Sequence, residues 1–278
     1  MFGADITYGF PGSGRDVTLA YEGFQGKDTD RVSADSTEED IPNGTKVTYI
    51  SDVGIFATII TAKGETETNY DAADLVFGQK LKVGERINLR PFIGMRYAYI
   101  NIEDKGYYTG QNTPSAPETY QTNILKFHNT FNGIGPRFGS DAQINLGKGI
   151  SVRGRLGLSA LIGRPNIEQS SHYSRQDDIS GTIFTYNNTT DVHTDTNTQI
   201  VPEIDGRLGL NYTQDFDSNF ALGVEAGWQA TSYISVFDDT PSDFTYDNGS
   251  GVPIVLHTSF DSNFGLQGPY ARVQLDIA

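Results

Sequence analysis

Hydrophobic and polar residues alternate with period two along much of this chain, in runs long enough to cross a bilayer as strands. From Ile87 onward, Ile87, Leu89, Ile93, Met95, Tyr97 and Tyr99 fall on one side, with Asn88, Arg90, Gly94, Arg96 and Ala98 on the other. The run after Gly149 repeats the arrangement, with Ile150, Val152, Leu156, Leu158, Ala160 and Ile162 opposite Ser151, Arg153, Arg155 and Ser159. Successive side chains of a strand point to opposite faces, so each run predicts one oily face and one ionic face. Similar alternation occurs at 2–10, 16–24, 70–81, 130–146, 199–216, 220–236 and 263–278, which makes nine predicted strands. Pro91 interrupts the third of its alternating pairs and predicts a bulge, as do Gly135-Pro136-Arg137 and Gly268-Pro269-Tyr270.

The connections sort into two classes. Pro11-Gly12-Ser13-Gly14-Arg15, Lys82-Val83-Gly84-Glu85, Gly147-Lys148-Gly149 and Asp217-Ser218-Asn219 carry hairpin-turn chemistry. Residues 25–69, 104–123, 164–198 and 237–262 form long loops rich in Asp, Glu, Asn, Thr and Ser. Long alternating segments joined by short and long connections in turn are the pattern of an antiparallel transmembrane β-barrel, with short turns on the periplasmic side and long loops outside. The fold class expected is therefore all-β, a single outer-membrane barrel domain over 1–278. Tyr8, Phe10, Tyr97, Tyr99, Tyr212 and Phe220 fall near the predicted strand ends, where interfacial girdles place aromatics.

With that polarity, the first and last of the nine strands both run inward. Single-chain bacterial barrels have an even number of antiparallel strands, so the count predicts an outward-running tenth strand upstream of Met1. Val47-Thr48-Tyr49-Ile50 and 54–61 are strand-like, and leave open whether 45–62 forms a loop hairpin or an additional membrane-spanning pair.

Composition narrows the alternatives. No run of 18 apolar residues occurs, so a transmembrane helix is excluded. A hydrophobic fraction of 37% would leave a soluble domain of this size with a thin core, whereas a polar-lumened barrel needs apolar residues only outside. A soluble β-sandwich would also have shorter strands and no sorting of its loops by length. The net charge of −15 argues against a nucleic-acid partner. With no cysteine, there is no disulfide framework and no disulfide-linked oligomer.

The inward positions predict the lumen. They carry the acids Asp5, Glu22, Asp74, Asp141, Glu203, Asp205, Glu225 and Asp276 against the bases Lys80, Arg90, Arg96, Arg137, Arg153, Arg155, Arg207 and Arg272. A charge on the lipid face at midplane costs about 2–4 kcal/mol, so repeated arginines at alternating positions require a wet or ion-paired interior. The lumen-lining set expected to tune conduction is Lys80, Arg90, Arg96, Arg137, Asp141, Arg153, Arg155, Glu203, Asp205, Arg207, Glu225 and Arg272. The excess negative charge falls to the loops, as in Asp28, Asp30, Asp35, Glu38, Glu39 and Asp40.

Three separated motifs then suggest a family. Phe131-Asn132-Gly133-Ile134-Gly135-Pro136-Arg137-Phe138-Gly139, Ile200-Val201-Pro202-Glu203-Ile204-Asp205-Gly206-Arg207-Leu208-Gly209-Leu210-Asn211-Tyr212-Thr213 and Gly265-Leu266-Gln267-Gly268-Pro269-Tyr270, with 71–79, 90–97 and Leu161-Ile162-Gly163, resemble the Legionella-type major outer membrane proteins. The resemblance spans nearly the whole chain apart from the long loops. It implies a pore-forming protein exposed at the cell surface and located in the cell outer membrane, in contact with membrane lipids and lipopolysaccharide.

For function, the residues and the resemblance point to passive diffusion of small polar solutes or ions, with host or surface ligands reached through the loops. The rival reading is a closed barrel serving as a surface adhesin or structural anchor, because a barrel of about ten strands is little wider than its inward side chains. No cofactor, metal set or catalytic motif is expected. The sharpest enzymatic pattern is Asp191-Val192-His193 with Asp28-Thr29-Asp30, an Asp-His pair and two aspartates that an outer-membrane protease could use to activate water. Chance pairing in Asp-rich loops explains it as well.

Overall fold

The computed structural model describes residues 1–33, 57–112, 119–179, 181–195, 197–217, 220–237, 242–247, 253–258 and 263–277. Among them there is no helix, and the strands in chain order are β1 (Phe2–Gly9), β2 (Arg15–Ser33), β3 (Ala57–Gln79), β4 (Leu81–Val83), β5 (Ile87–Asn112), β6 (Thr119–Gly147), β7 (Ile150–Ile179), β8 (Thr182–Asp195), β9 (Gln199–Asp217), β10 (Phe220–Tyr233), β11 (Ser242–Asp247), β12 (Pro253–Thr258) and β13 (Phe264–Ile277). One antiparallel sheet runs β1-β2-β3-β5-β6-β7-β9-β10-β13, nine strands corresponding one for one to the nine alternating segments. β4 pairs with β5 and β8 with β7, while β11 and β12 form a separate hairpin.

The sheet curls on itself. Tyr70 of β3 hydrogen-bonds Tyr233 of β10, hydroxyl to hydroxyl at 3.1 Å, and the Arg272 guanidinium of β13 reaches the Asp5 carboxylate of β1 at 2.6 Å. The edge strands β1 and β13 therefore face each other through side chains. Their backbones share no ladder among the described residues, and both run from the loop end to the turn end.

The alternation sorts side chains as expected. Ile6, Ile93, Ile200 and Val273 are 76%, 67%, 68% and 71% exposed on the outside of the curl, with Leu75, Phe77, Met95, Phe138, Leu156, Leu208 and Trp228 exposed on the same side. An apolar belt of this extent has no place in water, and it is what a lipid-facing surface requires. At the foot of the barrel, Gly147, Lys148 and Gly149 all take positive φ (99°, 55° and 79°), so this three-residue turn depends on its flanking glycines.

Two expectations need correction, on the long connections and on the proline bulges. The long connections are largely strand rather than loop: β2 and β3 continue the sheet through 25–33 and 57–69, β5 and β6 run for 26 and 29 residues, β7 for 30, and β8 pairs with the end of β7. A crossing needs only about 9–11 residues, so these strands stand well above the membrane as a wall. Pro91 produces no bulge in its own strand, because β5 keeps one register with β6 from Ile87↔Ile144 through Pro91↔Ser140 to Gln111↔Tyr120. The break lies in the neighbour instead, where β3 ends at Gln79 and β4 resumes at Leu81 with an unchanged offset, so Pro91, which has no N–H to donate, sits opposite a gap. The registers at Pro136 and Pro269 are likewise unshifted, with Met95↔Pro136 and Trp228↔Pro269 in line with their neighbours. Finally, 57–61 open β3, whereas Val47–Ile50 and 54–56 lie outside the described residues.

Candidate functional site: the charged lumen

Seen from the foot upward, the inside of the curl is layered. In the lowest charged layer Arg90 of β5 donates to Asp16 of β2 (2.9 Å) and to Asp141 of β6 (2.8 Å), and Arg155 of β7 donates to the same Asp141 at 2.6 Å. Phe92 supports this layer, with the guanidiniums of Arg90, Arg137 and Arg155 5.6–5.8 Å from its ring centroid.

The central layer is the most enclosed. Arg96 donates from Nε and Nη2 to the two oxygens of Asp74 at 2.6 and 2.8 Å, a bidentate contact, and from Nη1 to Glu203 at 2.5 Å. Arg137 contacts Asp205 at 2.6 Å, Glu203 at 3.2 Å and Asp74 at 3.3 Å, and donates to Ser159 Oγ at 3.1 Å. Arg96 and Arg137 are each 1% exposed and Glu203 2%. Three carboxylates thus surround two guanidiniums, and Glu22 lies 3.9 Å from Arg96 as a fourth. Gly157 makes room for the bridge across β7, since a Cβ there would fall 2.2 Å from Asp205 Oδ2 and 2.6 Å from Arg137 Nη2.

On the β9–β13 side, Arg153 hydrogen-bonds Gln274 and lies 3.4 Å from Glu225. Tyr270 donates to Glu225 at 2.5 Å, Arg207 sits 3.8 Å from Glu225, and Arg272 pairs with Asp5. Above the central layer, toward the loops, lies an apolar layer of Tyr70, Ile100, Phe131, Leu161, Val201, Tyr233 and Phe264. The ring centroids of Tyr70, Tyr233 and Phe264 are 5.8–6.0 Å apart.

Of the twelve residues expected to line the lumen, eleven put their side chains into these layers. Lys80 does not. It is exposed in the one-residue break between β3 and β4, at the turn end of the sheet. The side chain of Asp276 lies outside the description. The apolar layer went unremarked in the sequence, although Tyr70 and Tyr233 share the parity of the inward residues Asp74 and Glu225 and were readable on that ground.

The residues of the protease pattern lie on β2 and β8. His193 of β8 lies beside Glu168 of β7 (3.8 Å), which also meets His128 of β6 at 3.5 Å. The Asn166 amide, then His128 and His193, hold the Glu168 carboxyl below the usual carboxylate range. Asp28 and Asp30 belong to β2, separated from β8 by four strands in the sheet order, and each accepts from the backbone N–H of the residue that follows it.

A curled antiparallel sheet with an apolar outside and an ionic inside defines the class: an outer-membrane β-barrel protein. The model of the family described as Legionella pneumophila major outer membrane protein precursor matches residues 2–277, and the chain belongs to that family. No curated protein and no solved structure matches it.

Proposed function

We propose that the chain is a narrow-bore pore-forming protein that lets small ions or polar solutes cross the outer membrane, and that its lumen is held shut by side chains in the conformation described. The observation that carries this reading is the chemistry of the central layer. Burying ion pairs is a poor way to stabilise a protein, since apolar residues of similar volume often serve as well or better. A barrel that needed only a filled interior has no use for Arg96, Arg137, Asp74, Glu203 and Asp205. A path for ions does, because charged groups that can exchange partners replace hydration in transit. The excess of carboxylates over guanidiniums in that layer favours cations.

One observation favours the anchor reading. Arg96 and Arg137 have almost no exposure, and the Tyr70, Tyr233 and Phe264 layer lies directly above them. Planar-bilayer recording separates the two readings. Wild-type protein is expected to give brief, small, cation-selective steps. The double variant Glu203→Gln, Asp205→Asn is expected to shift the reversal potential toward anion selectivity. Inserted protein that carries no current, in wild type and variant alike, would reject the pore and leave the closed anchor.

A further inference from the structure

Where β10 ends, the chain leaves the wall and turns into the lumen. Residues 234–237 form a turn directly after Tyr233, the last residue of β10, and within it Val236 and Phe237 are buried in the same apolar cluster as Tyr70, Tyr233 and Phe264. Every other member of that cluster belongs to a strand of the sheet, so moving it out of the lumen would break ladder pairs. The turn is held differently. The ladders of β10 stop at Tyr233↔Glu203 and Tyr233↔Phe264, and beyond them the Ile234 N–H donates to the Pro202 carbonyl at 2.9 Å, the Gln199 side-chain amide to the Val236 carbonyl at 2.8 Å, and the Ser235 N–H to Asn263 Oδ1 at 2.8 Å. Ser235 has a φ of 52°, a left-handed conformation that a residue other than glycine seldom adopts and keeps only where its surroundings enforce it.

We infer that residues 234–237 are a movable plug: folded in, Val236 and Phe237 complete the apolar layer across the lumen, and swinging outward about Tyr233 they open the way to the ionic layer below. Gln199 and Asn263 are the latches that hold the plug in place. The inference deepens the pore reading and rests on it. An apolar layer stops hydrated ions because nothing in it replaces their water, which is how hydrophobic constrictions gate. Outward movement breaks the hydrogen bonds just named and exposes two apolar side chains, while every strand pairing of the barrel stays intact and Ser235 is freed from its strained conformation. The layer lies on the loop side of the central ion pairs, where a moving turn meets water.

Planar-bilayer recording of wild type and two variants tests this. Gln199→Leu cuts a latch and leaves the apolar layer untouched, so it is expected to lengthen open dwell times several-fold at unchanged step size. Val236→Ala with Phe237→Ala trims the plug itself and is expected to raise the step size as well. A second readout does not depend on current. Because the chain has no cysteine, Phe237→Cys supplies a single thiol, and its labelling by a water-soluble maleimide is expected to be slow with Gln199 in place and several-fold faster when combined with Gln199→Leu. Currents from every protein with the same dwell times, together with equal labelling rates, would overturn the plug and leave the pore standing. No current from any of them would overturn the pore reading, and the plug as its gate would fall with it.

Discussion

Replacing Arg96 by alanine is expected to lower the unfolding free energy of the refolded protein by roughly 3–5 kcal/mol, the usual cost of removing one partner from a buried ion pair. Arg96 is the guanidinium that Asp74 and Glu203 share, and without it those carboxylates, with Asp205 and Glu22 close by, face Arg137 alone. Water cannot readily reach them, since Glu203 is nearly inaccessible and the aromatic layer covers the loop side. The double variant Arg96→Met, Glu203→Met removes a charge of each sign and keeps the volume, so it is expected to recover most of the loss. Urea titration in lipid vesicles, followed by tryptophan fluorescence, measures both. Equal stability of Arg96→Ala and wild type would mean that the central layer is hydrated and loosely held.

The second large effect lies one residue and one face away from a natural arginine. Arg155 is held inside by Asp141, while its neighbour Leu156 is 54% exposed on the outer face, midway along the alternating run from Ile150 to Ile162. Leu156→Arg is expected to cost about 2–4 kcal/mol of folding free energy in a bilayer, the price of a cation at the lipid midplane. Arg155→Leu changes the same strand by the opposite substitution, and its effect is expected to come instead from Asp141, which keeps Arg90 but loses the second of its two guanidinium partners. The two losses therefore couple differently to Asp141→Asn: the costs of Asp141→Asn and Leu156→Arg are expected to add, whereas Asp141→Asn is expected to cost less in the Arg155→Leu background than alone, because the Arg155 ion pair is already gone. The same titration, repeated on the double variants, checks this.

Strand number, sidedness and most of the lumen set were legible because the membrane imposes them locally: every lipid-facing residue must be apolar, and period two does the rest. Lys80 carries the inward parity but is exposed between β3 and β4, where β3 stops at Gln79 and Pro91 offers no partner. The upper halves of β3, β5, β6 and β7, together with β8, were hidden for the opposite reason. Stretches such as Glu65-Thr66-Glu67-Thr68 have water on both faces of the sheet, so nothing apolar marks them as strand. The pairing inside the lumen was out of reach too. Arg96 and Glu203 are 107 positions apart and sit on strands that are not neighbours, and only the curvature of the sheet brings them together.

The central claim is that one face of each strand meets lipid while the other meets the ionic interior, and the absence of cysteine makes it directly measurable. Single cysteines introduced at each position of 150–162 can be spin-labelled in vesicle-embedded protein and probed with oxygen, which partitions into lipid, and with a water-soluble nickel chelate. The account predicts high oxygen accessibility at 150, 152, 154, 156, 158, 160 and 162 and low values at the odd positions between them, with period two unbroken through the run. A flat profile, or high nickel accessibility at Leu156 and Ile162, would show that this face does not lie against the membrane and would contradict the barrel.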